Sequence, residues 1–324
     1  MKTLKPMALS ALTGPFERQG RVHLCVIVGV MTTFDGEAVE HEQNLWKILA
    51  KAPGFGGSLD ELRPKVKSEV LMLGDVYAPP NRRVPARSAR LQVGNWSKEV
   101  WVVGDRYWKN GVPTEPVPFD KMAVTWDRAF GGEEYVPNPV GLGIAPVKNE
   151  SGNSVVPLPN IEWPKKLVTA PGDRPPPAGF GPIDPAWTRR IQKLGTYDKK
   201  WFETRYPDFP DDFDPTYFNV APDDQWFDKP FVGGEKIVVE HMHPTLERIE
   251  GTVPRFTARC FVSREGQELA DLSMRCDTLW LLPNVERMVL VYRAFTEVAD
   301  DEASDVTDML FALERTDQPM PRSH

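Results

Sequence analysis

Four runs, Thr257-Ala-Arg-Cys-Phe-Val262, Glu268-Leu-Ala-Asp-Leu-Ser-Met274, Thr278-Leu-Trp-Leu-Leu282 and Arg287-Met-Val-Leu-Val-Tyr-Arg-Ala-Phe295, follow one another with only three to five residues between them. Each is apolar or β-branched and of strand length. A parallel crossover needs a dozen residues or more, so links this short predict antiparallel neighbours. Lys236-Ile-Val-Val-Glu240 precedes them as a further strand.

The first third reads the same way. Arg21-Val-His-Leu-Cys-Val-Ile-Val-Gly-Val-Met-Thr-Thr-Phe34 is too continuously apolar for a strand with one wet face, and its centre is expected to be buried on both. Glu69-Val-Leu-Met-Leu-Gly-Asp-Val-Tyr77 and Lys121-Met-Ala-Val-Thr-Trp126 add strands. Ala89-Arg-Leu-Gln-Val93 and Glu99-Val-Trp-Val-Val103 flank Gly94-Asn95 as a hairpin.

The fold class is therefore mainly β, in antiparallel sheets, with two sheets packed as a sandwich as an arrangement the pattern admits. Three regions follow: an N-terminal β region (1–136), a proline-rich insert (137–235) and a C-terminal β region (236–324). The chain has 32 prolines in 324 residues, about twice the usual share, which predicts short elements joined by stiff loops. Within the insert, Asp184 with Pro185 signals a helix closed by Gly195, and a second helix is expected from Tyr197 to Arg205, stopped by Pro207. Near the C-terminus, Ser304 with Val306, Met309, Leu310 and Leu313 predicts a final amphipathic helix.

Net charge is −7, which argues against a nucleic-acid binder resting on a basic face. The basic stretch Asn81-Arg-Arg-Val-Pro-Ala-Arg-Ser-Ala-Arg90 reads as a solvated loop. No sustained apolar leader opens the chain, and the longest apolar run, 24–31, is far below the roughly 20 residues of a membrane helix. Neither secretion by a cleaved signal nor a membrane partner is expected. Cys25, Cys260 and Cys276 are too few and scattered for a disulfide framework, and read as reduced core thiols of a cytoplasmic protein.

Residues 195–225 hold eight aromatic rings and four prolines among 31 positions, with acidic residues between them. That is too apolar for a free linker and too proline-broken for a regular element, so packing must order it. It either seals a core edge or presents a rigid surface to another molecule. The glycines at 54–57 lack the Lys-Ser/Thr of a phosphate loop. His241 and His243 sit at a strand end where Pro244 intervenes, so satisfied polar histidines are expected there, with no metal and no cofactor. Asp208, Asp211, Asp212, Asp214, Asp223 and Asp224, with Trp201, Tyr206, Tyr217 and Trp226 as platforms, leave a carbohydrate-active or carbohydrate-binding protein using 197–226 as the alternative.

Several stretches in order carry a resemblance: Trp126-Asp-Arg-Ala-Phe-Gly-Gly132, Gly195-Thr-Tyr-Asp198 with Trp201 and Arg205, Asp212-Phe-Asp214, Phe218-Asn219 with Ala221-Pro222 and Asp224-Gln225, Gly233-Gly-Glu235, and Cys276-Asp-Thr-Leu-Trp-Leu-Leu-Pro283 leading to Arg293. Together they resemble a bacterial family labelled domain of unknown function 2169, over about residues 20–295 as one continuous unit. Members act as adaptors or chaperones for effectors of the type VI secretion system. The resemblance implies a non-enzymatic, cytoplasmic protein that binds and stabilises a secreted effector, often a PAAR-containing toxin, and aids its loading onto the VgrG spike. Trp201, Arg205, Phe213, Tyr217, Phe218, Asn219 and Gln225 are the expected effector-binding region.

Overall fold

The computed structural model describes residues 2–4, 9–18, 20–40, 45–52, 62–149, 151–299 and 305–316; the glycines at 54–57, the Ser304 cap, His41 and His324 lie outside them. The N-terminal third supplies β1 (Lys2–Leu4), β2 (Leu9–Arg18), β3 (Arg21–Thr33), β4 (Ser68–Met72), β5 (Ala86–Val93) and β6 (Trp96–Val103). From the insert, β7 (Ile161–Glu162) and β8 (Trp226–Phe227) join large sheets. The last third gives β9 (Lys236–Glu240), β10 (Arg248–Thr252), β11 (Phe256–Arg264), β12 (Ala270–Ser273), β13 (Arg275–Leu282), β14 (Arg287–Glu297) and β15 (Val306–Arg315).

Three large sheets result, beside four two-stranded ones among the described residues. The six-stranded sheet runs β8-β4-β13-β14-β3-β2, the five-stranded sheet β7-β6-β5-β9-β10, and the four-stranded sheet β1-β15-β11-β12. Within the three large sheets pairing is antiparallel except for β4 with β13 and β1 with β15. Strand covers 44% of the described residues and helix 10%, so the protein is mainly β. One apolar cluster draws Val26, Val28 and Val30 of β3, Leu91 and Val100 of the five-stranded sheet, and Cys260, Val262 and Phe311 of the four-stranded sheet into a shared core. The alternate β3 residues Cys25, Ile27 and Met31 face a second core with Trp280, Val289 and a short helix α1 (Leu45–Leu49). Gly29 makes that helix possible, because a Cβ there would lie 2.5 Å from the Leu45 side chain. The six-stranded sheet is thus covered on both faces, which is why β3 reads as a continuous apolar run.

The hairpin turns at Gly94-Asn95 as expected, with Gly94 at φ 57° and Val93 opposite Trp96. The three cysteines are free and buried. Other expectations need correction. The final helix is instead strand β15: Met309 and Phe311 are buried while Leu310 between them is 47% exposed, a two-residue period set by pairing with β11. Asp184 opens a turn, donating no helix start, and the helix α2 (Thr188–Ile191) begins four residues later. Trp126 begins a 3-10 turn, beyond the strand that ends at Ala123. The basic stretch 81–90 is half strand, and its Arg83, Arg87 and Arg90 pair with Asp120, Glu247 and Glu240. The second insert helix, α3 (Lys199–Thr204), lies where expected, with Asp198 accepting the Trp201 amide at its N-terminus.

Candidate functional site

The seven expected contact residues divide by burial. Gln225 is fully buried; its amide donates to the Val70 carbonyl at 2.6 Å and the Phe180 carbonyl at 3.0 Å, and its oxygen accepts from Lys98 at 2.8 Å. Asn219 donates to the Lys67 carbonyl at 2.9 Å and to Glu69 Oε2 at 3.0 Å. Glu69 also accepts from the Ala221 amide and pairs with the buried Lys65 ammonium at 2.5 Å. Phe218 is buried as well. Asn219 and Gln225 stitch the segment to β4, and a partner could reach these two amides only by opening the protein. Their polarity hid this, since a buried amide is affordable only when its bonds are made, and the partners lie some 150 residues away.

Of the remaining four, Arg205 is exposed, and Trp201, Phe213 and Tyr217 are half-buried. Trp201 is half-buried, and its indole N–H donates to the Asp208 carbonyl at 2.7 Å. Around it pack Tyr197 at 4.6 Å, Tyr206 at 5.8 Å and Phe202 at 6.5 Å between ring centroids. Tyr197 is 48% exposed, and Phe202 and Tyr206 are each 64% exposed, so the group forms an aromatic patch on the surface. Arg205 donates to the Phe209 carbonyl and pairs with Asp211 at 3.3 Å, closing the loop behind the patch.

Under that loop Phe209 stacks on Phe213 at 4.0 Å, and Phe213 lies 5.7 Å from Phe218 and 6.5 Å from Tyr217. The Arg190 guanidinium covers the Tyr217 ring at 4.8 Å and donates to its carbonyl. The acidic residues between the rings shape turns. Asp212 accepts from the Thr196 amide and hydroxyl, which hold its carboxyl below the ordinary range. Partial burial pushes the Asp214 carboxyl up, but bonds from Thr216 and the Lys193 charge outweigh it and leave it low. Glycoside hydrolysis needs one carboxyl raised to act as an acid, and neither of these is.

Sequence reading missed a cleft of about 820 Å³ rimmed by Pro137, Pro164, Pro176, Pro177 and Pro222. Trp126 and Trp163 line it, with the buried Lys98 in its wall. Lys98 holds Asp224 at 2.8 Å and lies 5.0 Å from the centroid of the Trp163 ring. Burial lowers its pKa to about 8 against the opposing pull of Asp224. The available signal was that two of the stretches carrying the resemblance, those beginning at Trp126 and Asp224, converge here. Trp126 is anchored by its indole N–H on the Pro182 carbonyl at 2.9 Å.

His241 and His243 each have hydrogen-bond partners of their own. His241 Nδ1 lies 2.8 Å from the Ser88 carbonyl, and His243 Nδ1 accepts from the Thr245 and Leu246 amides. Among the described residues no group of three or more His, Cys, Asp or Glu is placed to hold a metal ion. No described helix is long and apolar enough to cross a membrane.

No curated protein and no solved structure matches the chain. A family model described as an uncharacterized protein conserved in bacteria matches residues 19–293, which end at the buried Arg293 of β14. With most of its length inside that match, the five-stranded sheet and the insert included, the chain belongs to the DUF2169 family.

Proposed function

We propose that this protein is a non-enzymatic adaptor that grips another polypeptide through the surface built by residues 197–217. The partner we propose is a type VI secretion effector, often PAAR-containing, held in the cytoplasm for loading onto the VgrG spike; that assignment follows from the family resemblance. The observation that carries the binding role is the exposed ring group of Tyr197, Phe202 and Tyr206 around Trp201. Exposed rings held by a proline-stiffened loop lose little entropy on docking, and aromatic anchors dominate protein interfaces. Arg205, Phe213 and Tyr217 support the same face from behind.

The test is co-expression with the effector encoded beside this protein, followed by affinity capture. Wild type should recover the effector, and Phe202→Ser/Tyr206→Ser should weaken the complex by at least about thirtyfold, the loss of one strong anchor, at unchanged melting temperature. Failure of wild type to capture any neighbouring secreted protein would sink the adaptor reading. Full capture by the double variant would remove the patch from it.

A further inference from the structure

Lys98 stands on the core face of β6, in line with Val100 and Val102, where the core meets the proline-rimmed cleft of about 820 Å³. Its side chain is only 2% exposed, and three neighbours fix where the amine points. Nζ lies 2.8 Å from one Asp224 carboxylate oxygen, donates to the other at 3.1 Å, and donates to Gln225 Oε1 at 2.8 Å. The Gln225 amide is itself locked by its bonds to the Val70 and Phe180 carbonyls, so its oxygen stays aimed at the lysine. The Trp163 ring, 5.0 Å away, closes the third side and is held by its indole N–H on the Pro177 carbonyl at 3.3 Å.

An amine so placed differs chemically from a surface lysine. With a pKa of about 8, about a tenth of it is free base at pH 7, against roughly one part in 3,000 for a lysine of ordinary pKa. Desolvation of this kind turns a lysine into a nucleophile for carbonyl carbon. Asp224 supplies the proton carrier. Its carboxylate touches Nζ, its side chain is 44% exposed, and it lines the same cleft, so it can take the ammonium proton and return it to an oxygen bound there. The cleft lies within the roughly 300–1,000 Å³ of small-molecule sites, and its Trp126, Trp163 and proline walls suit a flat apolar body.

We propose that this cleft binds an aromatic aldehyde and that Lys98 captures it as an imine, with Asp224 carrying the proton. The ammonium gives a proton to Asp224, and the freed lone pair forms a C–N bond as the carbonyl π bond opens. The oxygen takes a proton from nitrogen. Asp224 then protonates that hydroxyl, which leaves as water while the nitrogen lone pair closes the C=N bond. Ammonium and aldehyde thus become iminium and water, with charge unchanged and no redox partner consumed. Capture is stoichiometric and stands apart from the adaptor role, which uses the ring group around Trp201.

Benzaldehyde with cyanoborohydride at pH 7 tests this on the full chain, since hydride reduction fixes each imine as a benzylamine that peptide mapping by mass spectrometry locates. Lys165 and Lys166, exposed on the same cleft, are the comparators, because they meet the same aldehyde. Lys98 should be labelled at least about thirtyfold faster than either, in keeping with its larger share of free base, and urea should abolish the preference. Benzaldehyde should half-saturate Lys98 at a concentration at least about tenfold below that of acetaldehyde, which lacks the ring. Asp224→Asn, which keeps the shape but carries no proton, should slow labelling at Lys98 at least about tenfold and leave Lys165 and Lys166 unchanged. Label on Lys165 and Lys166 with Lys98 spared, or a preference that survives urea, overturns the proposal. Equal half-saturation by the two aldehydes overturns the aromatic ligand, and a wild-type rate in Asp224→Asn overturns the proton carrier.

Discussion

Asn219 and Glu69, 150 residues apart in the chain, are joined by a 3.0 Å hydrogen bond from the asparagine amide to the buried carboxylate. Through it the aromatic segment is fastened to β4, next to the Lys65–Glu69 pair, whose side chains are wholly shielded from solvent. Asn219→Ala should therefore act on stability and not on docking. We expect a loss of about 1–3 kcal/mol, the cost of stripping donors from a buried charged acceptor, seen as a lower urea midpoint. Partner affinity per folded molecule should stay unchanged; a selective loss of affinity at wild-type stability contradicts this placement.

Arg293 and Asp277 form an ion pair in the core, where both side chains are essentially inaccessible. A bulge between Cys276 and Thr278 in the pairing of β13 with β14 leaves Asp277 without an opposite residue, between the Cys276–Tyr292 and Thr278–Val291 pairs. Arg293→Ala leaves a buried carboxylate whose other cation, Arg275, is 3.9 Å away, and should cost about 3–5 kcal/mol. Replacing both, as Arg293→Met/Asp277→Leu, should recover most of that loss in urea denaturation. A double variant as weak as the single one would show that the pair does more than neutralise itself.

Lys98 predicts a pH signature. Its pKa in the fold, about 8, lies below the ordinary 10.5, because burial disfavours the ammonium. Between those values the unfolded chain keeps a proton that the native protein has released, so the contribution of this group to stability rises with pH. Below pH 8 both states carry the charge and the penalty, about 3 kcal/mol, is fully present. Measured as the difference between wild type and Lys98→Met, which cancels the other titrating groups, unfolding free energy should climb from pH 8 towards 10. A flat difference rules out this desolvated ammonium.

Gly131 lies in the Trp126–Gly132 stretch, where the Asn138 carbonyl oxygen would meet a Cβ at 2.1 Å. Asn138 is itself buried and donates to the Trp126 and Phe130 carbonyls. Gly131→Ala should consequently destabilise by roughly 2–4 kcal/mol through displacement of that loop, whereas Gly94→Ala should cost only the strain of a positive φ, roughly 1 kcal/mol, because open space surrounds it. Thermal melts of the two variants give the comparison, and equal shifts would discount the close approach.

Much of the architecture was legible because it depends on spacing within a run. The period of two in β5 and β6, the turn at Gly94-Asn95 and the doubly buried β3 are local patterns, and they survive folding unchanged. The segment 306–315 was not legible. Val306, Met309 and Leu313 fit a helical face, yet Met309 and Phe311 also alternate, and pairing with β11 chose the second pattern. The exposed aromatic patch was half legible: aromatic density marked the segment, but which rings face outward depended on packing against β4 and the β2–β3 turn.

By itself the sequence determined that this is a β protein with a rigid aromatic insert, because strand pattern and proline stiffness are properties of neighbouring residues. Only the tertiary structure decided that Asn219 and Gln225 hold the insert inside while Tyr197, Phe202 and Tyr206 stand out, and that Lys98 is buried against Asp224. A polar side chain's place follows from whether distant residues complete its hydrogen bonds, and those partners meet only when the chain is folded.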